Sequence, residues 1–319
     1  MINKKRRIFL KNNLILIPLL NISELKPSKN KKEIFLIEKF YSMGTFGKIQ
    51  IFTKNITKGK EIIKKAIEKI KDIEKLLTKF SPYSDIGKIN NKPLNYKKIS
   101  KETLYVLKTG IKISLLTDGY FDIGLGNILS ISGIDNIPIK ENKLKTEYYK
   151  SNLIKFSKKK AMLTRRNSMI DLGGIGKGYA LDEAIKIFKK YGVRHSAVEF
   201  GGEIKVNGGT PSGKPWKIIF NKKLNIKKKI ELTNGSVAIS GNYLKRGNIF
   251  NSLNHHIINP KTLVSSKNKN IIIVIGKKSI ICDSLSTACY CMDKTTLLKI
   301  KNIFSKYKIE IIKKWILLK

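Results

Sequence analysis

Apolar runs with the length and composition of β-strands outnumber runs with helical periodicity along this 319-residue chain, and the two kinds do not alternate. A doubly wound parallel sheet, in which each strand leads into a helix, does not fit that order. The reading is an α+β fold of mixed or antiparallel sheets flanked by helices. Residues 34–52 read as two strands around Met43-Gly44-Thr45. Ile62, Ile63, Ala66, Ile67, Ile70, Ile73, Leu76 and Leu77 recur at three-and-four spacing, which predicts an amphipathic helix over residues 57–79. A second helix starts at an N-cap, Ser100, and runs to Thr117. Short strands with polar turns fill residues 152–170, and a third helix covers residues 179–191. Strands follow at 196–200, 204–207, 216–220 and 230–233, and the wholly apolar residues 271–275 suit a central strand. A helix starting close to Asp283 and running through Met292, then a Lys-rich helix and a last strand, complete the order. No internal repeat or low-complexity linker divides the chain. Residues 33–319 are therefore expected to form one domain, after a signal-like segment and connector over residues 1–32.

In that first segment Arg6 and Arg7, followed by Phe9, Leu10 and Lys11, resemble a twin-arginine export motif, and an apolar stretch from Leu14 to Ile22 follows, interrupted by Pro18. The expected location is the periplasm or the outer face of the cytoplasmic membrane; if the segment is only a basic arm, the location is cytoplasmic. No Cys follows the stretch, which excludes a lipoprotein anchor there, and the stretch is shorter than the ~20 residues a membrane span needs. Charge gives a weaker signal than its size suggests. The chain carries 65 Lys and Arg against 23 Asp and Glu, a net +42, but the excess is mostly Lys, spread throughout and accompanied by abundant Ile and Asn, as an AT-rich coding sequence produces. No basic stretch is interleaved with aromatics for base stacking, so no specific nucleic-acid partner is expected. Attraction to anionic surfaces at low salt, a membrane surface included, follows from the charge alone. Cys282, Cys289 and Cys291 fit neither a disulfide framework nor paired metal-binding motifs and read as packing thiols.

Four constellations carry chemistry. Asp171-Leu172-Gly173-Gly174-Ile175-Gly176-Lys177-Gly178-Tyr179 closes a strand and opens a helix, a turn whose backbone N–H groups and helix dipole suit phosphate; a tight structural turn fits it equally. Its glycine spacing does not match the dinucleotide fingerprint, which argues against a nicotinamide enzyme. Cys282-Asp283-Ser284-Leu285-Ser286-Thr287-Ala288 puts a carboxylate and a hydroxyl four residues apart on one helix face. That pair suits Mg²⁺, which takes few protein ligands; alternatively Asp283 simply caps the helix. Thr117-Asp118-Gly119-Tyr120-Phe121-Asp122 couples a turn to aromatics and a carboxylate suited to gripping a ring system. His255 and His256 precede Ile257-Ile258-Asn259-Pro260; in extended backbone one of the two rings can face a cleft and act as a base near neutral pH, or both are solvent-exposed.

Taken in order, these motifs resemble the ApbE family of FAD:protein FMN transferases over about residues 43–292, together with the segment 84–90, Gly201-Gly202-Glu203-Ile204 and Ser240-Gly241-Asn242-Tyr243. The resemblance implies a flavin cleft between the sheets and helices, with FAD contacts at Met43, at Tyr120, Phe121 and Asp122, at Asp171, at Lys177 and at the backbone of Ile257. It implies Mg²⁺ ligands at the Gly174 carbonyl, Asp283 and Thr287. FMN would pass from FAD to a Thr or Ser hydroxyl of an acceptor flavoprotein with release of AMP, His256 serving as general base. Such acceptors are flavin-bearing subunits of Rnf-type or sodium-pumping NADH:quinone reductase complexes. A pyrophosphatase giving FMN and AMP to water, or a flavin-binding protein without bond-breaking activity, needs the same cleft. The chain departs from the family pattern at Phe80, where Tyr is common, at Ile123 for Pro, Glu199 for Asn, Asn242 and Asn259 for Asp, and Leu263 for Gly.

Overall fold

A computed structural model describes residues 20–22, 33–131, 151–220, 228–241, 257–268 and 270–313. After a three-residue strand, β1 (Leu20–Ile22), the strands β2 (Ile34–Ser42) and β3 (Thr45–Thr53) form a hairpin that pairs Ser42 with Thr45. Met43 and Gly44 at its tip have φ of 45° and 75°, the left-handed backbone that a two-residue hairpin turn demands. Helix α1 (Ile56–Leu77) is capped by the Asn55 side chain and buries Ile63, Ala66, Ile70, Ile73 and Leu77, the predicted stripe. Helix α2 (Asp85–Asn91) follows, then β4 (Lys97–Lys98) and α3 (Lys101–Leu116), where Ser100 accepts the Thr103 N–H as the sequence foretold. Next come α4 (Gly126–Ile131), β5 (Ile154–Ser157) and β6 (Lys160–Leu163), with β4, β6 and β5 pairing in that order.

Helix α5 (Gly176–Lys190) leads into β7 (Ser196–Phe200), β8 (Glu203–Asn207), β9 (Trp216–Phe220), β10 (Lys229–Leu232) and β11 (Gly235–Gly241). The remainder is the small pair β12 (Ile258–Asn259) and β13 (Val264–Ser265), then β14 (Ile271–Gly276), α6 (Ser279–Cys291), α7 (Lys294–Ile303) and β15 (Lys308–Ile312). Among the described residues the main sheet runs β15-β14-β11-β8-β7-β3-β2, and every neighbouring pair in it is antiparallel. The α+β reading holds, with the antiparallel arrangement chosen.

Both faces of this sheet are buried, each for its own reason. Val198 and Phe200 of β7 and Ile272 and Val274 of β14 face the core shared with α1, α5 and α6. The alternate residues, Ala197 of β7 and Ile271 and Ile273 of β14, face a second core with Trp216, Ile218 and Phe220 of β9 and Ile230 of β10. Period-two alternation thus serves two apolar layers, and β14 reads as a continuous apolar run from Ile271 to Ile275. Ile22 belongs to that second core and is 2% exposed. The last three residues of the apolar stretch assigned from sequence to an export leader are therefore a strand of the fold, antiparallel to β9.

Candidate active site

The site lies where α5 crosses α6. Helix α5 starts at Gly176, three residues before the predicted start, so Lys177 and Gly178 sit inside its first turn. Gly178 makes the crossing possible: a Cβ there would strike the Ser279 carbonyl oxygen and crowd the Asp283 Cβ. At that close approach the Gly178 N–H donates to Asp283 Oδ2 at 2.9 Å. Gly174 is equally confined, a Cβ there falling 3.1 Å from the Phe121 ring and 3.4 Å from Thr287 Oγ1. Helix α6 begins at Ser279, one turn before the predicted start. Asp283 is consequently not its N-cap, and that reading is corrected. Its carboxylate is turned to α5, and Thr287 one turn on donates to the Asp283 carbonyl at 3.3 Å. Gly174 and Lys177, Phe121, and Asp283 and Thr287, called from three separate motifs of the sequence, come together here.

Electrostatics set the character of this point. Lys177 Nζ lies 3.0 Å from Glu203 Oε1 and 3.9 Å from Asp283 Oδ1, and donates to the Gly173 carbonyl at 3.2 Å. Glu203 and Asp283 are only 4% and 3% exposed, so two buried carboxylates share one ammonium. Among the described residues Glu203 Oε2 meets no hydrogen-bond donor. Burial, and then the neighbouring Asp283 charge, push the Glu203 carboxyl well above the usual carboxylate range against the pull of Lys177. A buried, undercompensated carboxylate is costly, and a hard cation relieves that cost. Among the described residues no three His, Cys, Asp or Glu side chains form a metal site by themselves. The donors here are mixed: carboxylate, hydroxyl and the Gly174 backbone. Such a set fits Mg²⁺, which keeps waters and substrate oxygens in its shell.

Asp171, at the head of the glycine turn, accepts the Gly173 N–H at 2.8 Å and pairs with Lys79 Nζ at 2.8 Å. Burial alone would raise its carboxyl, but the Lys79 ammonium and the Gly173 N–H outweigh burial and hold it below the usual carboxylate range. Lys79 also lies over the ring of Phe80, which is 64% exposed beside the turn. At the hairpin tip half-buried Met43 packs against the main core, and Gly201, at φ 60°, leaves room for Thr45 Cγ2 and the Lys177 methylenes that a Cβ would meet at 2.9 and 3.0 Å.

The Thr117-to-Asp122 motif forms the adjoining wall. Asp118 and Gly119 turn the chain through left-handed backbone, Phe121 is buried, and Tyr120 stays half-exposed with its hydroxyl 3.4 Å from Asp293. Asp122 accepts the Gly124 N–H at 2.7 Å and the Ser114 hydroxyl at 3.3 Å. Lys261 binds this wall to the segment after Ile257, pairing with Asp118 at 3.1 Å and covering the Tyr120 ring. Ile257 is buried, its carbonyl accepting from Ser266 at 2.9 Å. Leu263, where the family pattern has Gly, adopts φ 58°, the conformation glycine favours. His255, His256, Asn242, Tyr243, Arg6 and Arg7 lie outside the described residues.

Three residues were missed from the sequence. Lys79 is one Lys among many just past a helix, and only its partner distinguishes it. Glu203 stands inside a quoted motif but received no role. Asp182 on α5 carried no signal, because its partners, the backbone of α6 and Lys205 of β8, lie far from it in the chain.

Residues 43–311 match the family described as the ApbE family. An FAD:protein FMN transferase of Chlamydia muridarum is 29% identical over 245 residues, which is 72% of this chain and 75% of that protein. Another of the same name from Haemophilus influenzae is 26% identical over 284 residues, 80% of each chain. Among solved structures, the ApbE protein of Thermotoga maritima superposes with a TM-score of 0.77 at 25% identity, covering 87% of this chain and 94% of its own. The flavinyl transferase ApbE of Pseudomonas stutzeri gives 0.76 at 21% identity, covering 90% and 97%, and shares the fold.

Proposed function

The chain belongs to the ApbE family, and from that premise we propose that it is an FAD:protein FMN transferase, as its curated relatives are named. The observation that carries the reading is the α5–α6 crossing, which gathers a glycine turn, two buried carboxylates, a hydroxyl and a lysine at one point. In the reaction a Thr or Ser hydroxyl oxygen of the acceptor bonds to the FMN phosphorus of FAD. The bond from that phosphorus to the bridging oxygen breaks, AMP leaves with the bond's electrons, and the hydroxyl proton passes to a base. Gly174, Asp283 and Thr287 would hold Mg²⁺, which when bound offsets pyrophosphate charge and polarises the phosphorus. The N-terminal turn of α5 and the Lys177 ammonium attract the same anionic group. Met43, Tyr120, Phe121, Asp122, Asp171 and the Ile257 backbone line the route for the flavin and its phosphates. His256 is the base in this proposal, since a hydroxyl is too weakly acidic to attack unaided at neutral pH. The acceptor is a flavin-bearing subunit of an Rnf-type or sodium-pumping NADH:quinone reductase complex, met outside the cytoplasmic membrane.

The test is incubation of the full chain with FAD, Mg²⁺ and such a subunit, with mass spectrometry for the FMN adduct and assay of AMP. Adduct and AMP should form together, and both should vanish on chelation and in Asp283→Ala. His256→Ala should keep FAD binding and lose about 10²–10⁴-fold in transfer rate. Free FMN and AMP without adduct would replace transfer by hydrolysis, and turnover that survives chelation would remove the metal.

A further inference from the structure

Helix α6 carries Asp283 and Thr287 but supplies no cap of its own: Lys278 stands at its N-cap and makes no side-chain capping bond. Two of its first N–H groups are nevertheless satisfied from another helix. Ser279 N–H donates to Asp182 Oδ1 at 3.0 Å and Ile280 N–H to Asp182 Oδ2 at 3.1 Å, and Asp182 belongs to α5. A carboxylate at this end meets both the unpaired N–H groups and the positive pole of the helix dipole. Because each oxygen takes one N–H, the contact fixes the rotation of α6 about its axis as well as its height against α5.

The carboxylate is itself held. Lys205 Nζ pairs with Asp182 Oδ1 at 2.7 Å and donates to the Lys277 carbonyl at 2.8 Å, tying the turn before α6 to β8. One turn further along α6, Asp283 is gripped by the Gly178 N–H. Ser279, Asp283 and Thr287 follow at four-residue steps and share one face. A slip of the capped end therefore carries both side chains away from Gly174.

We propose that Asp182 is a positioning residue for the cation seat: by capping α6 from α5 it sets the rotation and height at which Asp283 and Thr287 meet Gly174. The proposal rests on the cation reading of those two residues. Binding of Mn²⁺ to the full chain, followed by electron paramagnetic resonance alongside thermal melts, tests it in the wild type and in Asp182→Ala, Asp182→Asn and Asp283→Ala. Asp182→Ala should bind Mn²⁺ about 10-fold or more weakly while folded. Asp182→Asn, which keeps one acceptor oxygen, should fall between it and the wild type. Excess metal should recover transfer in both. A lowered melting temperature with wild-type Mn²⁺ affinity would reduce Asp182 to a structural cap and overturn the proposal. Should the alanine variant fail to fold, wild-type affinity in Asp182→Asn has the same force. A wild type that binds no Mn²⁺, or an Asp283→Ala variant that binds it undiminished, would instead defeat the cation reading and take the proposal with it.

Discussion

At Gly178 one missing methyl group decides how near two helices come. Its N–H reaches Asp283 because the Ser279 carbonyl oxygen occupies the space a Cβ needs. That oxygen is backbone and cannot rotate aside, so Gly178→Ala should push α6 off α5 and cost about 1–3 kcal/mol of stability. Urea denaturation measures the cost, and an unchanged midpoint would show that the crossing tolerates the methyl. Glu203 and Lys79 show why sequence reading stops short at single residues. A Lys-rich chain gives no reason to prefer one lysine until its partner Asp171 stands 2.8 Å away. Glu203 gains its unusual carboxyl only from burial beside Asp283, eighty positions on in the chain. Asp283 and Thr287, by contrast, were legible because their relation is local, one helical turn.

Elements were read well where their signals lay within them and badly where another element supplied the boundary. The stripe of α1 and the Ser100 cap of α3 are local, and both appeared as expected. The start of α6 was misplaced by a turn because its cap is Asp182, on α5. The same holds for β1, whose three residues are the last of a leader-like apolar run. The strand is defined by its pairing with β9, by the buried Ile22 side chain and by the Ile22 N–H directed at the Glu199 carboxylate. Burial raises that carboxyl, while Lys48 at 3.1 Å and the Ile22 N–H pull it down. A chain beginning after Ile22 should thus be less stable than one beginning before Leu20, by about 1.5–3 kcal/mol for the lost isoleucine alone. It should also associate more readily, since β9 becomes a bare edge. Equal denaturation midpoints for the two chains would deny β1 a place in the fold.

The chain carries a net +42 and belongs to the ApbE family. Export is a proposal of the N-terminal segment. Changing Arg6→Lys together with Arg7→Lys should leave the purified enzyme active and retain it in the cytoplasm, as cell fractionation would show; continued export of the doubly substituted chain would discard the twin-arginine reading. The sequence by itself determined the α+β class, the family, the long helices and several strands, though not α2, α4 or β11, and it singled out the glycine turn and the Asp283–Thr287 pair. These rest on periodicity, turn residues and short motifs, all written within a few positions of one another. Only the tertiary structure decided that β1 is a strand, that α6 is capped from α5, and that Glu203 shares Lys177 with Asp283. Each of these is a contact between residues far apart in the chain, and such contacts exist only once packing has excluded water and set the distances at which a carboxylate, an ammonium or an N–H group can be satisfied.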